Sequence, residues 1–84
     1  MQQAQGLYLA GGYEAAEKVV KQALSIDPFA AQAHFLLGKI LLLRGTATHD
    51  YRLLRNARLM FEMAVALEPE FSEARDLVEL LRAY

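Results

Sequence analysis

The chain has no cysteine, no tryptophan and only two prolines. Without cysteine there is no disulfide, no thiolate nucleophile and no thiolate metal ligand, and the redox compartment goes unread. Charge of one sign is also missing. Nine basic residues against ten acidic ones give a formal net charge of −1, so there is no electrostatic case for nucleic acid or an anionic membrane surface. Apolar runs such as Ile40–Leu43 fall far short of the roughly 18 residues that mark a membrane helix, so no membrane insertion is expected. The opening Met-Gln-Gln-Ala-Gln lacks the basic start and apolar centre of a secretory leader. These absences favour a soluble, cytoplasmic chain over a periplasmic or secreted one, without fixing a compartment.

Catalytic patterns are scarce as well. His34 and His49 have no histidine neighbour at three- or four-residue spacing, so no metal-ligand set arises. Ser25 and Ser72 are the only serines, and both fall at expected helix boundaries. The acidic groups Glu14/Glu17, Glu68/Glu70/Glu73 and Asp76/Glu79 read as solvated faces. No enzymatic activity, cofactor or metal is expected.

What the 84 residues do hold is helical periodicity. A chain of this length makes one small domain with a marginal core. Its hydrophobic content is 55%, but much of that is alanine, which favours close helix packing over a bulky interior. The organising stretch is Gly11–Pro28. Ala16, Val19, Val20, Ala23 and Leu24 recur at helical spacing on one face, and Glu14, Glu17, Lys18, Lys21, Gln22 and Ser25 fill the other. Pro28 then stops the helix, because it lacks an N–H and its ring clashes with the preceding turn.

The periodicity predicts five helices: about 2–10, 13–26, 30–44, one ending near Leu67 before Pro69, and about 71–82. Gly6 inside the first reads as a close-packing position. Gly11-Gly12 reads as a tight turn between helices. The third helix is apolar nearly all round, as befits the centre of a domain. Residues Gly45–His49 read as a loop, with Thr48 or Asp50 capping the fourth helix. Arg52, Arg55 and Arg58 form a basic stripe on that helix, read as a solvated face or as a contact for an acidic partner.

An internal repeat emerges when Pro28 is laid on Pro69. Ala16, Val20, Ala23, Leu24, Ile26 and Asp27 then match Ala57, Phe61, Ala64, Val65, Leu67 and Glu68. In its Gly-Tyr-x-x-Ala start, its spaced alanines and its terminal proline, this pattern resembles the tetratricopeptide repeat. Ala4, Leu7, Ala16, Val20, Ala23 and Pro28 take that family's signature places in the first unit. Leu37, Gly38, Leu41, Ala57, Phe61, Ala64 and Pro69 take them in the second. The resemblance implies an all-α, antiparallel helix-turn-helix solenoid. Repeat 1 would cover about 1–28, repeat 2 about 29–69, and a capping helix about 70–84. The prolines lie 41 residues apart against a family period of 34. The seven extra residues fall between Gly45 and Ala57, where they are expected to lengthen the start of the fourth helix. Glu79, at the place of Gly38, marks the end of the array.

Such arrays present a concave face built from the first helix of each pair. The resemblance therefore implies a groove lined by Gln5, Tyr8, Leu9, Gln32, Phe35, Leu36, Lys39, Leu42, Leu43 and Leu77. Family members that bind acidic peptide tails use a cluster of basic and amide side chains on this face. Here Gln5, Leu36, Glu73 and Leu77 stand there instead, so that activity is not expected. The expected function is a non-enzymatic protein–protein interaction module, a scaffold or assembly factor, that takes an apolar or amphipathic peptide in the groove. The alternatives are a homo-oligomeric self-assembly unit and, more remotely, a regulatory segment of a larger enzyme or secretion-machine protein.

Overall fold

The computed structural model describes residues 2–84, which form five helices and no strand. They are α1 (Gln2–Leu9), α2 (Tyr13–Ile26), α3 (Ala31–Thr48), α4 (Tyr51–Leu67) and α5 (Ser72–Leu80). Each helix packs against the next in chain order, and the α3–α4 pair is the most extensive. The assembly measures 31 × 30 × 19 Å. Its thin dimension suits two helix layers, since packed helices sit about 8–10 Å apart.

The ends of the helices follow from local chemistry. Gly11 adopts φ +85°, a left-handed conformation that costs glycine little. It lets the Gly12 N–H reach back to the Leu7 carbonyl at 2.7 Å and close α1. At the far end of α3, His49 takes the same role at φ 53°, and the Asp50 N–H reaches the Gly45 carbonyl at 2.9 Å. Asp50 then caps α4, its carboxylate accepting from the Arg52 N–H at 3.0 Å. Of the two residues expected to cap, Asp50 does so. The Thr48 hydroxyl instead donates to the Arg44 carbonyl at 2.8 Å.

Residues Gly45–Thr48 are helical, not the loop that the sequence suggests. Four residues prolong α3, and α4, with 17 residues, is three longer than α2, with 14. The seven extra residues are thus shared between the two arms of the α3–α4 hairpin instead of all extending α4. Close packing explains Gly45. A Cβ there would lie 3.0 Å from Leu54 Cδ2 and 3.1 Å from Leu53 Cβ. The glycine lets α4 approach, and does not end the helix. Gly6 is the converse. It is exposed, and a Cβ added to it would meet nothing within 4 Å, so it is not the close-packing position expected of it.

The core is small side chains interleaved with a few large ones. Ala4, Ala16, Ala33, Ala57, Ala64 and Ala74 are fully buried beside Val20, Ile40 and Phe61. Its tightest contact joins Gly38 to Phe61. A Cβ on Gly38 would stand 2.6 Å from Phe61 Cε1 and 2.8 Å from Cδ1. Phe61 is fully enclosed, so its ring cannot swing away.

The 41-residue offset also appears in the backbone. Asp27 and Glu68, ending α2 and α4, have φ/ψ of −133°/89° and −133°/90°. Ala30 and Phe71, preceding α3 and α5, have −79°/98° and −76°/83°. The Asp27 and Glu68 amides each donate to an alanine carbonyl, Ala23 and Ala64, at 2.9 Å. The carbonyls of the two prolines also accept alike. Pro28 O pairs with His34 Nε2 at 2.9 Å, and Pro69 O accepts from the Arg75 guanidinium, in each case six residues on. One turn is built twice. α5 is shorter than expected, because Phe71 precedes the helix and the chain leaves it at Leu81.

These contacts set opposite outcomes for one kind of substitution. Alanine gains about 1 kcal/mol over glycine in a helix, whereas overpacking a filled core costs about 1–3 kcal/mol. Gly6→Ala should therefore raise stability by up to about 1 kcal/mol, and Gly38→Ala should lower it by about 1 kcal/mol or more. Ala16→Leu and Ala57→Leu, both at fully buried positions, should each cost about 1–3 kcal/mol. Urea denaturation followed by helical circular dichroism reads all four. A stabilising Gly38→Ala would contradict the Gly38–Phe61 contact.

Candidate interaction surface

The expected groove residues divide into three groups. Gln5, Leu9, Gln32 and Leu43 are exposed; Tyr8, Lys39, Leu42 and Leu77 are half-buried; Phe35 and Leu36 are core. Phe35 is only 6% exposed and Leu36 2%. Their place in the groove is corrected accordingly: neither presents a surface to a ligand. Aromatic packing gives the reason. The Phe35 ring lies 4.6 Å from that of Phe71 and 5.7 Å from that of Phe61, centroid to centroid. It thereby joins α3 to α4 and to the residue that precedes α5.

Lys39 closes the remaining side. Its ammonium sits 4.7 Å from the Phe35 ring centroid and 5.1 Å from that of Tyr8, within reach of the attraction between a cation and an aromatic face. Tyr8 in turn stands 5.7 Å from Tyr13. A cluster of Tyr13, Tyr8, Lys39 and Phe35 thus ties α1 to α2 and α3. Burial, and secondarily the Tyr13 phenol beside it, raises the Tyr8 pKa above its ordinary value. Leu9 follows Tyr8 and is 82% exposed, and Leu43 lies one turn beyond Lys39 and is 38% exposed. What the chain offers here is a half-buried cation on aromatic rings, with an exposed leucine next after Tyr8 in α1 and another one turn along α3, not an aromatic-floored groove.

The cleft volumes lie elsewhere. One open depression of about 390 Å³ is lined by Gly11–Ala15 and Arg44, and another of about 440 Å³ by Leu67–Glu70. Neither involves a residue expected in the groove. Arg44 at the first is engaged by Glu17, 2.9 Å away. Glu17, expected on a solvated face, is instead half-buried in this tie between α2 and α3. Arg58 also departs from the solvated stripe. It lies half-buried, 3.9 Å from Glu62 and 3.5 Å from the Arg82 carbonyl, while Arg52 and Arg55 remain exposed. Among the described residues, no three or more acidic or histidine side chains gather to hold a metal ion, and no helix is long and apolar enough to cross a membrane.

No protein-family model, curated protein or solved structure matches the chain.

Two surface features are not legible in the sequence. Ile26 and Phe29 flank Pro28 and are 86% and 76% exposed. Ile26 belongs by spacing to the helix face that repeats internally, yet it sits at the last position of α2, where the chain turns away from the core. Tyr51 stacks on Tyr84 with centroids 5.7 Å apart. Neither residue belongs to a motif, so only the tertiary return of the C-terminal segment brings them together.

Phe35 is therefore expected to act on stability. Phe35→Ala should cost about 3–5 kcal/mol, in the range of buried aromatic truncations, and should abolish the cooperative melt. The raised Tyr8 pKa means that the folded state favours the neutral phenol. That contribution is complete below the unfolded value near 10 and fades as pH rises through the folded one. Thermal melts of wild type should fall above about pH 10 more than those of Tyr8→Phe. Equal falls would remove Tyr8 from the account.

Proposed function

We propose that the chain is a two-repeat, tetratricopeptide-like interaction module that takes an amphipathic segment along α1 and α3. The observation that carries this reading is the Lys39 ammonium held over Tyr8 and Phe35, with Leu9 exposed next to Tyr8 in the chain and Leu43 exposed one turn along α3 from Lys39. The duplicated turn supports the repeat architecture, and the repeat supports a face shared by the first helices of successive pairs.

On this reading each residue has a distinct part. Leu9 and Leu43 contribute apolar area, at about 25 cal/mol per Å² removed from water. Lys39 keeps its stem packed and its charge fixed, so it orients the ligand without supplying most of the affinity. Gln5 and Gln32 hydrogen-bond at the rim. Phe35 and Leu36 hold the platform from beneath. An extended or helical ligand with one apolar stripe fits this pattern better than an acidic tail, because a single cation is the only positive charge among these residues.

The test is an amide-resolved NMR titration with a synthetic amphipathic helix of about four turns, bearing leucines on one face and glutamines on the other. Amide shifts should centre on Leu9, Lys39 and Leu43. Leu43→Asp should weaken binding about tenfold or more, and Lys39→Ala by less. Affinity should survive about 1 M salt, where charges are screened within about 3 Å. Shifts confined to other helices, or affinity that collapses with salt, would overturn the reading.

A further inference from the structure

The outer face of α4 carries a stripe in which Arg55, Leu59 and Met63 follow one another at four-residue steps, all three exposed. Leu59 and Met63 are among the largest open apolar side chains of the molecule. α5 shows a stripe of opposite charge. Glu73, Asp76 and Leu80 lie exposed on one side of it, and Ala74 faces the core on the other.

The two stripes are free. Four of the five ion pairs among the described residues join Glu17 with Lys21 and Arg44, Asp50 with Arg52, and Arg58 with Glu62; the fifth joins Glu79 with Arg82. None engages Arg55, Glu73 or Asp76. The stripes also have the same pitch. Arg55 precedes Leu59 by four residues, and Asp76 precedes Leu80 by four, a rise of about 6 Å in each helix. Two such helices laid parallel bring Arg55 to Asp76 and Leu59 to Leu80 at once, with Glu73 extending the seam toward the helix starts, while Met63 falls past the end of α5 at Leu80.

From this match we infer that the outer face of α4 on one copy of the chain seats on the outer face of α5 on a second copy. Both halves of the contact are present on every molecule, and a net charge of −1 opposes the approach of copies only weakly. The contact is heterologous, so each added copy leaves one α4 face and one α5 face open, and the product is a chain or a closed ring. One helix against one helix buries less than the roughly 1,200 Å² of a stable complex, which makes the association weak and transient. The seam shares no residue with Leu9, Lys39 or Leu43, and it stands or falls apart from the ligand surface on α1 and α3.

Charge exchange provides the test, read by sedimentation velocity on the full chain up to about 1 mM, where a contact of millimolar affinity is half populated. Wild type should grow in mass with concentration and less so at high salt. Arg55→Glu and Asp76→Arg should each weaken association about tenfold or more, since each places like charges across the seam. Both should keep the wild-type melt, because the two positions are exposed. The double variant should regain wild-type association, and an equimolar mixture of the two single variants should recover well above either alone, since each face then finds its complement on half of the molecules. A wild-type monomer at about 1 mM would overturn the inference. So would single variants that associate undiminished, or a mixture that fails to recover. Association abolished by Leu43→Asp but untouched by either charge reversal would overturn it too, and move the contact to the α1–α3 surface.

Discussion

The absence of a side chain at Gly38 is the constraint on which the fold depends. Phe61 is fully enclosed because its ring edge occupies the space that a Cβ would take. The helix propensity forfeited by a glycine in mid-helix, about 1 kcal/mol, is offset by burial of an entire phenyl ring, about 1.5–3 kcal/mol. From this contact α3 and α4 become the most extensively packed pair. Phe35 then meets Phe61 from one side and Phe71 from the other, so the docking of α5 is indirectly fixed by the same ring. At the equivalent place on α5 stands Glu79, exposed and paired with Arg82. A carboxylate there cannot accept an aromatic ring as Gly38 does.

The second organising element is the proline turn. Each proline ends one helix and its carbonyl then receives a side chain from the first turn of the next, His34 in one case and Arg75 in the other. The residue types differ, but the donor occupies the same place, so the exit angle of the chain is held alike in both turns. Ala30 and Phe71 show how one backbone serves two ends. The small residue leaves α3 close to α2, and the aromatic one fills the space beside Phe35.

Much of this is legible in the sequence where local chemistry decides. The five helices, the two proline stops and the Asp50 cap depend on neighbours within a few residues. The alanines of the inner face are legible too, because their spacing is helical. The glycines mislead in opposite directions. Gly45 reads as punctuation and is a packing position, while Gly6 reads as a packing position and is open. Glycine permits both a turn and a close approach, and only the partner helix distinguishes them. The candidate surface is legible in outline and not in depth. Phe35 and Leu36 are expected on the ligand side of α3, but both are buried, and Phe71 and Lys39 pack on the Phe35 ring. Phe71 is 36 residues away from Phe35 in the chain, and no periodicity within α3 reports its arrival. The ion pair of Glu17 with Arg44 stays hidden for the same reason.

Packing between helices that follow one another in the chain has a kinetic corollary. Contacts formed mainly between sequence neighbours give a low contact order, and such helical domains fold in microseconds to milliseconds. The two-residue connection at His49–Asp50 makes the α3–α4 hairpin the least expensive closure available, since loop entropy grows with length. It also joins the two longest helices, so folding is set to begin there and spread outward. α1 and α5, with eight and nine residues, are too short to persist without tertiary support and add to that hairpin and its neighbour. In the folded protein these two short helices open and close more readily than the α3–α4 hairpin, so the helix bearing Tyr8 and Leu9 exchanges its backbone protons before the centre of the molecule does.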